Sequence, residues 1–72
     1  MDKVLLERAL AQVEGHIQRG ELHVTRQREI VADKKRLGAD HRLSATLLET
    51  FEMLLVEHKG HRTNLLRALN AV

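Results

Sequence analysis

The chain has 72 residues, no Cys, no Pro, four Gly and one large aromatic residue, Phe51. Twelve Lys and Arg against ten Asp and Glu leave a formal charge of +2, too even a balance to draw the whole surface to DNA or an anionic membrane. Disulfides and thiolate metal sites are excluded, so a single domain over residues 1–72 must draw its stability from oligomerisation, a histidine- or carboxylate-bound metal, or very regular helix packing.

Leu, Arg, Ala and Glu dominate, and these residues, like the three Gln, lose little freedom in a helix. The composition therefore predicts an all-α fold. No stretch approaches the roughly 20 apolar residues of a membrane span. The apolar run in Met1–Glu7 is too short for an export signal, and no lipidation motif is present. The expected compartment is the cytoplasm, with no membrane and no nucleic-acid partner.

Helix one is predicted over about residues 2–37. Its apolar stripe, Leu6, Leu10, Val13, Ile17, Gly20, Val24, Gln27 and Val31, advances by alternating steps of four and three, the heptad seam of a packed helix. Gly15 and Gly20 are the places where it could break, giving a three-helix bundle bent near residues 15–20. The phase of the stripe is the same on both sides of them, which favours one continuous helix.

Lys34, Lys35 and Arg36 then complement the negative end of the helix dipole, which reads better than a nucleic-acid patch because no aromatic residue is nearby to stack on bases. Gly38 can take the left-handed conformation that ends a helix, and Asp40 can cap the next one.

Helix two is predicted over about residues 41–71, making an antiparallel hairpin. Its seam reads Leu47, Phe51, Leu54, His58, His61, Leu65 and Ala68, flanked by Leu48, Leu55, Leu66 and Leu69. One partner helix cannot cover a stripe this wide. Leu47, Leu48, Phe51, Leu54, Leu55, His58, Leu65, Leu66 and Leu69 are therefore the candidate core and dimer interface, and a second copy is the expected cover, giving a homodimeric four-helix bundle. A turn centred on residues 38–40 sets Gln27 opposite Phe51, Val24 opposite Leu54, Gly20 opposite His58, Ile17 opposite His61 and Val13 opposite Leu65.

Four of the five histidines, His16, His23, His58 and His61, fall at one level of this hairpin, while His41 opens helix two as a capping or solvated residue. Three readings fit the cluster. It can be a polar layer that specifies register, a transition-metal site of neutral imidazoles, or a group whose protonation loosens the seam. The Glu-x-x-His pairs of di-iron bundles are missing. Catalysis has little support: there is no Cys nucleophile or Gly-rich phosphate loop, and Ser44 is far from the histidines. The function expected is a helical interaction or structural module with no cofactor, acting as a homodimer or on an unidentified protein partner; a histidine-ligated metal-binding bundle is the alternative.

The segments Glu14-Gly15-His16-Ile17-Gln18-Arg19-Gly20-Glu21-Leu22-His23-Val24, Leu47-Leu48-Glu49-Thr50-Phe51-Glu52 and His58-Lys59-Gly60-His61-Arg62 resemble those of short proteobacterial helical hairpin proteins that carry no established activity. Their pattern pairs two histidines seven residues apart with L-L-x-T-F-E and H-x-x-H-R, and the likeness runs from about residue 14 to 69. It implies a small cytoplasmic helical hairpin and offers no catalytic residues. Gly15 and Gly60 stand where those proteins more often carry a helix former.

Overall fold

In the computed structural model, which describes residues 2–72, two helices pack antiparallel: α1, Lys3–Arg36, and α2, Arg42–Asn70. Asp2 starts α1 by accepting the Val4 N–H on its carboxylate at 2.9 Å, satisfying a donor that would otherwise lack a partner. The helix runs unbroken through Gly15 and Gly20, so the bent three-helix alternative does not form. The uninterrupted heptad phase outweighs roughly 1 kcal/mol of lost helix propensity per glycine.

The end of α1 is a Schellman motif. Gly38 takes φ +71°, its N–H reaches the Lys35 carbonyl at 3.1 Å, and the Ala39 N–H reaches the Lys34 carbonyl at 2.8 Å. Lys34, Lys35 and Arg36 lie in that last turn, where cations suit the dipole. Asp40 then accepts the Arg42 backbone N–H at 3.1 Å and receives two bonds from the same residue's guanidinium. The first residue of α2 is thereby fixed through Asp40, while His41 contributes no side-chain cap.

The hairpin is a rod of 54 × 14 × 13 Å. From α1 it buries Leu6, Val13, Ile17, Val24, Gln27 and Val31, which is the predicted seam with Leu10 and Gly20 half-buried beside it. At the open end Leu6, Val13 and Leu65 form a cluster, joined by Ala9, Leu10, Ala68 and Leu69, as the Val13–Leu65 pairing anticipates.

The middle and turn end of α2 depart from the predicted register. Ser44 and Leu65 are buried, and Leu48, Leu55, Arg62 and Leu69 are half-buried, whereas Leu47, Leu54 and His61 are exposed. The helix is thus rotated by about half of one 100° residue step from the orientation that centres Leu47 and Leu54. Gly20 meets Leu55, not His58: a Cβ built there would lie 3.1 Å from Leu55 Cδ1. His58 instead stacks on His16 and Phe51 on His23, each one helical turn earlier in α1 than the partner expected. The stripe of α2 is too wide for apolarity alone to centre it. The close approach at Gly20 and the bond from Gln27 Nε2 to the Ser44 carbonyl at 2.9 Å hold it where it is.

Candidate interaction face

Residues seven apart along a helix share a line on its surface, and these lines make the two sides of the hairpin chemically different. On one side Glu14, Glu21 and Arg28 of α1 meet Arg62, Lys59 and Glu52 of α2 at 3.7, 3.8 and 3.5 Å. These ion pairs are largely exposed, and each contributes well under about 1 kcal/mol. Their effect is to give this side a polar, hydrated character.

The opposite side carries His16, His23, Ile30 and Leu37 on one line of α1, beside Leu5. From α2 it carries Leu43, Leu47, Phe51, Leu54, His58 and His61. Its aliphatic members remain open to water: Leu43 is 77% exposed, Leu5 54%, Ile30 44%, Leu54 43% and Leu47 42%. Between the helices on this side runs a half-open groove of about 300 Å³. Gly20 and Leu55 form its floor, and two ring pairs mark its ends. His16 and His58 stack with centroids 5.0 Å apart and planes 13° from parallel; His23 and Phe51 stack at 5.5 Å and 26°. Arg19 and Leu54 complete the lining.

An Arg19 guanidinium nitrogen lies 3.1 Å from His16 Nδ1. A guanidinium only donates, so Nδ1 is the acceptor in this contact. No Asp or Glu lines the groove. Three imidazoles and a guanidinium thus share an apolar slot without a counter-ion.

The predicted histidine cluster is therefore brought together in part. His16, His23 and His58 line one groove, while His61 is exposed and belongs to neither ring pair. Among the described residues no group of three or more His, Asp or Glu side chains converges closely enough to hold a metal ion. His16 and His58 present ring faces to each other, whereas two ligands of one metal must aim nitrogens at a common point about 2 Å from each. Of the residues expected at the interface, Leu47, Phe51, Leu54 and His58 lie on this side. Leu48, Leu55, Leu65 and Leu69 turn toward α1, and Leu66 lies on the line of Glu52 and Lys59, with the ion pairs.

Arg19 and the row of three ion pairs were not singled out from the sequence. The seven-residue spacing of Glu14, Glu21 and Arg28, matched by Glu52 and Lys59, was the available signal. No described helix is long and apolar enough to cross a membrane. No family model, curated protein or solved structure matches the chain.

Proposed function

We propose that this protein is a helical interaction module that works as a homodimer, two hairpins joining through their histidine-bearing sides into a four-helix bundle. The observation that carries the reading is the asymmetry of the rod: ion pairs line one side, and leucines and two stacked ring pairs line the other. Area supports it as well. The chain exposes 5473 Å², whereas a compact monomer of 8.2 kDa exposes about 4,500 Å² by the usual size scaling. The excess of about 900 Å² follows from the elongated shape, 54 Å long and about 14 Å across, which leaves a long flank for a second copy to cover.

Sedimentation equilibrium at tens of micromolar and about pH 8 tests the proposal. The expected species has twice the mass of one chain. Leu54→Glu places a charge on the proposed interface at a site open enough for the hairpin to tolerate it, and should weaken association at least about 100-fold. Val56→Glu, on the far side of α2 and 69% exposed, should leave association unchanged. A compact monomer in the unsubstituted protein, or equal effects of the two variants, refutes the reading.

A further inference from the structure

We infer that the dimer is proton-gated: the stacked His16–His58 pair must be uncharged for the two hairpins to close on each other. The inference rests on the dimer reading and adds its regulation. The pair sits at one end of the groove in the side that a second copy would cover, with its rings half-buried in the single hairpin. Closing a partner over it removes the remaining water, and a desolvated imidazolium needs a counter-charge.

The groups around the pair offer none. From α1 the neighbours are Arg19, already donating to His16 Nδ1, and His23. From α2 the groove receives Phe51, Leu54 and Leu55 beside His58, none of which titrates. Glu57 is exposed and outside the lining, while Glu14 and Glu21 are engaged on the other side by Arg62 and Lys59. His61 lies on the same side but outside the groove and is exposed in the single hairpin. A second copy laid on this side presents the same groove, whose lining holds no carboxylate; the carboxylate nearest to it on this side is Glu57, exposed to water on the line of Leu43. A proton arriving at His16 Nδ1 would also displace the Arg19 bond and set two cations face to face.

The sign follows from linkage. Free imidazoles take up protons near pH 6.5; if the dimer holds the pair neutral, dissociated hairpins bind more protons than associated ones. Association is then complete above that range and is lost as the pH falls. With one proton excluded per hairpin, two per dimer, Kd rises by up to about 100-fold per pH unit once the dissociated hairpins take them up. Stacking of the two rings makes a second proton on the same pair harder to add.

Sedimentation equilibrium between about pH 7.5 and about pH 5.5 reads the effect directly. The unsubstituted protein should show Kd rising at least about tenfold as the pH falls across this range. His16→Phe/His58→Phe keeps two stacked rings, removes both protonation sites of the pair and should abolish most of the rise, whereas His23→Gln and His61→Gln, on the same side but outside the pair, should each retain it. A flat profile in the unsubstituted protein overturns the gating. So does an unchanged profile in the double Phe variant, because the responsible protons would then lie elsewhere. A dimer that is firm at pH 8 and insensitive to acid defeats the gate alone; no dimer at any pH defeats the reading beneath it.

Discussion

Gly60 and Gly20 both lie inside helices, yet substitution should separate them. Nothing stands within 4 Å of a Cβ added at Gly60, so Gly60→Ala should stabilise the protein by about 0.5–1 kcal/mol through helix propensity alone. Thermal denaturation followed by circular dichroism would register it as a higher midpoint. At Gly20 the same methyl crowds the Leu55 side chain, and the gain should shrink toward zero. Gly38 is a third case, because its φ of +71° sits where a Cβ costs about 1–2 kcal/mol; Gly38→Ala should lower the midpoint accordingly. Asp40 has its carboxyl held below the usual range by the hydrogen bond from the Arg42 side chain first, and by the Arg42 backbone N–H second. A lowered carboxyl contributes stability at neutral pH that fades as the pH drops from the ordinary value near 3.8 toward the folded one. Asp40→Asn should remove that part of the acid response, as an acid titration of unfolding would show.

The helices themselves were legible from the sequence almost to the residue. The heptad phase of α1, the cations ahead of Gly38 and the Asp after it are local signals, and local hydrogen bonding obeys them. Rotation of α2 was not legible, because Leu43, Leu47, Leu48, Leu54, Leu55, Leu65, Leu66 and Leu69 cover more of the helix than α1 can touch. Polar and steric details choose among these leucines. Gln27 is the clearest of them, a buried polar residue whose amide is satisfied by the Ser44 carbonyl. Gln27→Ala removes that bond and leaves space in the seam, and should cost about 1–2 kcal/mol in urea unfolding. Arg28→Ala, at an exposed ion pair nearby, should cost well under about 1 kcal/mol. A larger loss at Arg28 than at Gln27 would mean that the charged side, rather than the seam, fixes the register.

At the scale of the whole molecule, a hairpin 54 Å long and about 14 Å across has too little interior for its length. Only six apolar residues are buried among those described, and Leu6 and Val13 are the largest side chains fully hidden. Each further leucine that such a rod could bury is worth about 1.5–3 kcal/mol. If association supplies that burial, the melting midpoint must rise with protein concentration by mass action. Scanning calorimetry from about ten to several hundred micromolar should show the rise at about pH 8 and a smaller one at about pH 5.5. A midpoint independent of concentration at both would assign all stability to the single hairpin.

What the sequence by itself determined is where the helices begin, end and stay continuous, and that they carry more apolar surface than two helices can share. These properties depend on neighbours three or four residues apart, which a linear chain displays openly. Only the tertiary structure decided which leucines turn inward, that His58 stacks on His16 while Leu55 takes the place at Gly20, and that the ion pairs gather on one side. Those outcomes depend on the rotation of one helix against another, a single angle fixed by a glycine gap and one buried amide.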